Sequence, residues 1–334
     1  MNEDSIYRKL TTTKIDTLQL DPFGFCNNAC WFCPRGHIPN PGVYKRHMRL
    51  DLMEHILKQF VDAKGSICAN HFRHIYTGHY NEILLYAHFD GFLDLLKKYD
   101  LCTTILTNGL NYTDANIDRI CGAIEDGTVV GICMNIPAGK PDAYKRYTGS
   151  DNFDHMVLGV RKLIEKLPKR ILRHKGVSIV VNGVDDYSSC QRDLLGPNAP
   201  HIPPNDLAIQ ADQISTLFPQ VHVYKVGNLV DRGGHLSKFG VFNHTSLFTK
   251  MDEYVAGCAN CGDIGGRPFA WAHVNSLGEL FLCCNDYLFE YTFGSMAATT
   301  LAKIWYSKEH VMVLIKAFDG ICRTCCSAVN TSFD

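Results

Sequence analysis

Along the first two-thirds of the chain, short apolar runs alternate with amphipathic stretches of helical period. Residues 16–20, 71–76, 103–106, 129–135, 177–181 and 221–226 read as strands. Residues 50–64, 89–99, 113–124, 153–167 and 204–218 read as helices, with Thr113 as an N-cap. Strands that alternate with helices imply a parallel sheet with helical crossovers. Six such units are too few to close the usual eight-stranded barrel, so the expected fold is α/β, a curved and open (β/α)6 partial barrel. The stretch 183–203, rich in Pro, Asp and Ser, is long for a loop between such units. It reads either as a lid on the face that carries function or as a surface insertion.

After residue 226 the pattern changes. Residues 227–257 are Gly-rich and irregular and read as a linker. Two strand-like runs, 269–274 and 279–282, flank Asn275-Ser276-Leu277-Gly278 and read as a hairpin. Helical stretches at 300–305 and 309–318 follow, and the chain then reaches Cys322-Arg323-Thr324-Cys325-Cys326. The organisation expected is a barrel over 1–226, a linker over 227–257 and a small Cys-rich domain over 258–334. No internal repeat, heptad run or low-complexity tract interrupts it.

The bulk numbers narrow the function classes. A length of 334 residues suits one barrel and an appendage. A net charge of −1 points to neither nucleic acid nor a membrane surface, and the basic stretch 166–173 reads as a solvated helix end. Residues 1–10 are polar, unlike a signal peptide, and no apolar run reaches membrane-spanning length, so a cytoplasmic protein is expected. Fifteen cysteines are many for a reducing compartment, where metal binding or catalysis is favoured over disulfides. Three fall within 26–33 and seven after 257, whereas Cys68, Cys102, Cys121, Cys133 and Cys190 are scattered and read as small buried hydrophobes.

The first group, Cys26-Asn-Asn-Ala-Cys30-Trp-Phe-Cys33, follows the first strand and so lies in a loop of the functional face. A [4Fe–4S] cubane normally takes four cysteines, and three leave one iron open for chemistry. A structural zinc loop is the alternative, with His37 as a possible fourth ligand. The spacing C-x3-C-x2-C with an aromatic residue before the last cysteine resembles the signature of the radical S-adenosylmethionine (SAM) superfamily. The resemblance implies a partial (β/α)6 barrel and an open iron that chelates the amine and carboxylate of SAM. One electron then cleaves SAM to a 5′-deoxyadenosyl radical. It further implies Phe32 against adenine. In Tyr76-Thr77-Gly78-His79-Tyr80-Asn81-Glu82, Gly78 and Glu82 stand where the family has a Gly-Gly-Glu motif for the SAM amino group, with one glycine of the pair. Asn108, in Thr107-Asn108-Gly109, would lie near the ribose, and Asn135 near the ribose or the methionine carboxylate. Ordinary turn chemistry is the other reading of Asn108-Gly109.

The second group comprises Cys258, Cys261, Cys283, Cys284, Cys322, Cys325 and Cys326. Cys261, Cys283, Cys322 and Cys325 would give four thiolates, with Cys258 able to replace Cys261. Four ligands fill a cubane and leave it to move electrons, or they hold a structural zinc. The run from Ala272 through Gly278, Cys283-Cys284, Asp286, Phe293-Gly294 and Leu301–Trp305 to the closing C-x2-C resembles the SPASM/twitch domains, in the shorter, single-cluster twitch form. Two [4Fe–4S] clusters and SAM are therefore the cofactors the resemblance implies, with a reducing partner such as flavodoxin.

Cys30-Trp-Phe-Cys33-Pro34, Asp231-Arg232-Gly233-Gly234 and the tract 278–305 resemble the 2-deoxy-scyllo-inosamine dehydrogenases of the twitch group. The resemblance implies oxidation of a secondary alcohol of a cyclitol or sugar, with the auxiliary cluster taking an electron. Arg232 would steer the alkoxide, since a guanidinium is a poor base; a linker salt bridge is its other reading. Radical epimerisation would instead need a hydrogen-atom donor, for which Cys258, Cys284 and Cys326 are spare. Modification of a ribosomal peptide and a zinc-stabilised binding protein complete the alternatives. His79, Tyr80, Asn81 and the 183–203 loop are the expected substrate contacts.

Overall fold

The computed structural model describes residues 2–38, 42–78, 80–173, 176–182, 207–226, 233, 235, 257–258, 266–325 and 328–329. They pack as two compact units, one of residues 1–24, 40–79 and 230–334 and the other of 25–39 and 80–229.

The first unit begins with helix α1 (Glu3–Thr12), capped by Asn2, whose side chain accepts from the Ser5 N–H at 2.9 Å. Strand β1 (Thr17–Leu20), helix α2 (Leu50–Asp62) and strand β2 (His74–Tyr76) follow. The apolar residues of α2 that recur at helical spacing, Met53, Ile56, Leu57 and Phe60, are all buried. β1 runs parallel to β2 on one side and to β8 (Trp271–Val274) on the other, in the register Leu18↔Ala272 and Leu20↔Val274. β8 turns into β9 (Glu279–Phe281) as an antiparallel hairpin, and β10 (Thr292–Ser295) pairs outside β9. The C-terminal hairpin thus joins the sheet that the first strand begins. The burial of Ala272, His273 and Val274 accounts for an interior position. Helices α10 (Leu301–Trp305) and α11 (Lys308–Asp319) complete the unit.

The second unit is a parallel sheet in the order β3 (Cys102–Thr107), β4 (Val129–Asn135), β5 (Val177–Asn182), β6 (His222–Val226). Between the strands run α4 (Asp114–Glu125), α5 (Pro141–Thr148) and α6 (Phe153–Lys166), while α3 (Phe89–Lys98) precedes β3 and α8 (Leu207–Leu217) precedes β6. All six expected parallel strands are present, and neither unit's sheet closes on itself among the described residues. Thr113 caps α4 as expected, accepting from the Asn116 N–H at 3.2 Å.

Some expectations shift. The strand expected over 71–76 is confined to His74–Tyr76, because a turn in which the Phe72 N–H donates to the Ala69 carbonyl (3.0 Å) occupies its start. The helix expected from 204 is described from Leu207 onward. Helices α1 and α5 and strand β10 were not expected. α5 is short and polar, but it carries Pro141 at its first turn and left-handed Gly149 (φ 69°) at its end, the usual punctuation of a helix. The 183–203 loop and most of the 227–257 linker lie outside the described residues.

Candidate functional site

The first thiol centre lies within the second unit. The loop carrying Cys26, Cys30 and Cys33 is pinned to the end of α5. There the Ala29 N–H donates to the Thr148 carbonyl (2.8 Å) and the Trp31 N–H to the Tyr147 carbonyl (3.2 Å). The Cys33 N–H donates to the Cys30 carbonyl at 3.0 Å, which folds the last two cysteines toward each other. Gly36 then passes so close that a Cβ there would stand 2.9 Å from the Cys30 carbonyl oxygen. Burial pushes the Cys26 thiol up to about 11, with the Glu82 carboxylate and Cys33 adding to it. Burial followed by Cys33 and Cys26 pushes Cys30 well above the ordinary thiol range. All three sulfurs therefore lie within one another's electrostatic reach. Such thiols take up metal by releasing protons to it.

A buried carboxylate anchors the neighbouring strand ends. Glu82 accepts from the Thr107 hydroxyl (2.7 Å), the Asn108 N–H (2.6 Å) and the Leu84 N–H (3.3 Å), and its own N–H donates to the Phe25 carbonyl (2.9 Å). Its carboxyl is raised to about 7 by burial, against the pull of those three donors. Asn108 links this carboxylate to the cysteine loop. Its side-chain amide donates to the Asn27 side chain (2.8 Å) and to Cys26 Sγ (3.6 Å), while its Oδ1 accepts from the Leu110 N–H (3.0 Å). Asn108 thus serves both as turn former and as thiol partner. Asn135 leaves β4 at the same level, since Thr107 pairs with Met134. Its Oδ1 is buried and accepts no hydrogen bond among the described residues.

The second centre lies within the first unit. Cys258 ends the two-residue strand β7 (Gly257–Cys258), where it pairs with Ala328, just beyond the C-terminal cysteines. Burial, then Cys284, Cys322 and Cys258, raises the Cys283 thiol well above its usual range. Cys322 is raised by burial, then by Cys258 and Asp286. Cys258, Cys283 and Cys322 therefore lie within one another's electrostatic reach. Asn285 brings in Cys325, donating its side-chain amide to Cys325 Sγ (3.3 Å) and its N–H to Cys283 Sγ (3.4 Å). Asp286 holds the loop by accepting from the Glu290 and Tyr291 N–H groups, both at 3.0 Å; burial lifts its carboxyl to about 7. Arg267 donates to Cys284 Sγ while its guanidinium lies 4.7 Å from the Trp271 ring centroid.

Of the residues expected from sequence, Cys26, Cys30, Cys33, Glu82 and Asn108 are joined in one network, and Cys258, Cys283, Cys322 and Cys325 in another. Phe32 is buried edge-on to Trp31. Gly78 follows β2 with φ 93° in the first unit. Arg232, Cys261, Cys326 and His79 lie outside the described residues. Sequence reasoning passed over Asn27, Arg267, Asn285 and Arg35, whose guanidinium donates to the Tyr80 carbonyl (3.3 Å) and the Cys26 carbonyl (3.5 Å). Their nearness to the cysteines in the chain was the available signal for Asn27, Arg35 and Asn285. Arg267 had none, because it is 17 residues from Cys284.

The donor sets suit iron–sulfur clusters. Thiolates are the ligands such clusters take, each on its own iron, and amide donors aimed at sulfur are compatible with them. The first centre, with three thiols and an unpaired Asn135 oxygen at the strand ends, fits an open cluster beside a polar ligand.

Comparison with known proteins agrees. The family model of the radical SAM superfamily matches residues 20–187, and the SPASM model, an iron–sulfur cluster-binding domain, matches 261–326. No curated protein matches the chain. Among solved structures, BtrN in complex with AdoMet and 2-DOIA aligns over 95% of this chain and 96% of its own, at 15% identity and a TM-score of 0.53. Streptococcus suis SuiB bound to precursor peptide SuiA aligns over 97% of this chain and 72% of its own (15% identity, TM-score 0.55). Native anSMEcpe with bound AdoMet aligns over 94% and 88% (13% identity, TM-score 0.54). At these identities the likeness establishes the fold.

Proposed function

The chain belongs to the radical SAM superfamily and carries a SPASM iron–sulfur domain, so its cofactors are SAM and two [4Fe–4S] clusters; from that premise we propose that it oxidises a secondary alcohol of a small polar metabolite, a cyclitol or sugar. Cys26, Cys30 and Cys33 hold the first cluster. Cys283, Cys322 and Cys325 hold the second, with the fourth thiolate from Cys258, which lies within electrostatic reach of Cys283 and Cys322; Cys261, the other candidate, lies outside the described residues. When bound, SAM and the first cluster supply the radical that takes the carbinol hydrogen, and the second cluster supplies an acceptor for the electron left on the substrate.

The chain's own residues do the rest. Glu82, held by three donors, fixes the turn at Thr107-Asn108. Asn108 keeps a donor on the Cys26 sulfur. The buried Asn135 oxygen, which accepts no hydrogen bond among the described residues, offers an acceptor to the ribose hydroxyls of SAM. Gly233 packs beside the second centre: a Cβ on it would meet Ile321 at 2.7 Å and the Asn285 carbonyl oxygen at 3.4 Å. Arg232 precedes this glycine in the sequence, and its role is to steer the substrate alkoxide electrostatically while the O–H proton passes to solvent.

The observation that carries this reading is a three-thiol group and a four-thiol group in one chain, the first suited to an open cluster and the second to a closed one. The near end-to-end alignment with BtrN in complex with AdoMet and 2-DOIA supports a small-molecule substrate. SuiB bound to precursor peptide SuiA and anSMEcpe with bound Kp18Cys peptide favour a peptide substrate as the second reading. A radical epimerase, with Cys284 or Cys258 returning a hydrogen atom, is the third.

The test is anaerobic iron and sulfide analysis with a SAM-cleavage assay under dithionite. The parent should hold about eight irons and form 5′-deoxyadenosine. The Cys26→Ala/Cys30→Ala/Cys33→Ala variant should hold about four and form none. Incubation with cyclitols and sugars should then yield a ketone. Deuterium incorporated at carbon from D2O without a ketone would select the epimerase, and zinc without iron would end the proposal.

A further inference from the structure

Asn285 is 4% exposed, lies between two cysteines of the second centre, and meets sulfur twice. Its N–H points at Cys283 Sγ (3.4 Å), two residues back. Its side-chain amide points at Cys325 Sγ (3.3 Å), forty residues on. Its Oδ1 is also buried and accepts no hydrogen bond among the described residues. A buried amide oxygen without a partner is a net cost. A Leu of similar size would avoid that cost, so packing does not explain an amide here. The hydrogen-bond donor does.

Resting on the reading of this centre as a closed iron–sulfur cluster, we infer that Asn285 is a positioning residue that clamps two of the cluster's thiolates and raises its reduction potential. The physical basis is charge. Each added electron makes the thiolate sulfurs richer in charge, and an N–H aimed at sulfur stabilises that reduced form more than the oxidised one. Hydrogen bonds to cluster sulfurs and outer partners of metal ligands act in this way. A higher potential suits a cluster whose task is to accept an electron. The clamp also joins two chain segments far apart in sequence, so the amide helps set the distance between the hairpin loop and the C-terminal turn. The backbone donor to Cys283 survives any substitution at 285, and the side-chain donor to Cys325 does not.

The experiment is a potentiometric titration followed by electron paramagnetic resonance on the full-length, anaerobically reconstituted protein. The Cys26→Ala/Cys30→Ala/Cys33→Ala variant identifies the second cluster's signal. Asn285→Leu removes the donor. Asn285→Asp replaces the donor with an acceptor at the same size. Asn285→Gln keeps a donor. Asn285→Leu should hold the parent's iron and show a more negative potential, with Asn285→Asp more negative still and Asn285→Gln closest to the parent. Loss of the second cluster from Asn285→Leu with its retention in Asn285→Gln would also support the clamp. Parent-like iron and potential in both Asn285→Leu and Asn285→Asp would overturn the inference alone. So would failure of all three variants to fold, which would make Asn285 a packing residue. A parent with only about four irons would overturn the two-cluster reading and this inference with it.

Discussion

Cys26, Cys30 and Cys33 come from one loop, whereas Cys258, Cys283, Cys322 and Cys325 come from three places spread over the last part of the chain. In each group burial raises two of the thiols, Cys26 and Cys30 in the first and Cys283 and Cys322 in the second, which favours their protonated form until metal arrives. Both have an asparagine amide on sulfur, Asn108 on Cys26 and Asn285 on Cys325. Both have a buried carboxyl raised to about 7, Glu82 at one and Asp286 at the other. They differ in what completes them. The first group stops at three thiols and adjoins strand ends with an unpaired polar atom. The second reaches four and adds an arginine on the neighbouring Cys284. An incomplete ligand set set by local spacing leaves room for a reactant, and a complete set assembled from distant segments ties the fold together.

The largest effect expected within this contrast falls on the second set. Cys258→Ala should lose about four irons and keep 5′-deoxyadenosine formation, because the first loop does not depend on Cys258. Cys261→Ala should hold the parent's iron. The reverse result would move the fourth ligand to Cys261, and a loss of SAM cleavage in Cys258→Ala would show that the two centres are not separable.

Gly233→Ala should act less completely. Gly233 has φ 68°, and its new Cβ would press on Ile321 beside Cys322 and approach the Asn285 carbonyl. A cost of about 1–3 kcal/mol is expected from backbone strain and overpacking. Thermal unfolding should report it, together with partial loss of the second cluster and none of the first.

The carboxyls offer a subtler test on the metal-free protein. A carboxyl with a raised folded pKa binds more protons folded than unfolded. Its protonated form therefore contributes stability at low pH that is lost as pH rises through the folded value. For Glu82 and Asp286 that window runs from about 4 to about 7. Glu82→Gln and Asp286→Asn should each flatten the fall in stability across it, as read by denaturant midpoints against pH. Steeper profiles would mean that their hydrogen-bond donors outweigh burial.

The smallest effects should fall on the helix caps that serve neither centre. Thr113→Ala in one unit and Ser307→Ala in the other each remove a side-chain acceptor for a helix N–H, on Asn116 and His310. Each should cost about 1 kcal/mol with iron content unchanged. A change in iron would tie local helix stability to cluster loading.

What could be read from the chain follows the same division. The parallel strands and their amphipathic helices were legible because periodicity is a local property, as in the buried stripe of α2. The hairpin around Asn275–Gly278 was legible from its turn residues. Polar α5 was not, because its buried face is a short one carried by Ala143, Tyr144 and Tyr147 within an eight-residue helix of otherwise polar side chains. The pairing of β8 with β1 was not legible either, since nothing local to either strand specifies a partner 250 residues away.

The first centre was determined by the sequence itself. Its three cysteines, at C-x3-C-x2-C, share one short loop, and few conformations of that loop exist. The second was only half determined. Spacing nominated its cysteines, but only the tertiary structure brings Cys258 within electrostatic reach of Cys283 and Cys322 and sets Asn285 between Cys283 and Cys325. The reason is physical: ligands separated by tens of residues meet only where the sheet and helices between them have packed, and side-chain hydrogen bonds to sulfur depend on distances that only the packed chain sets.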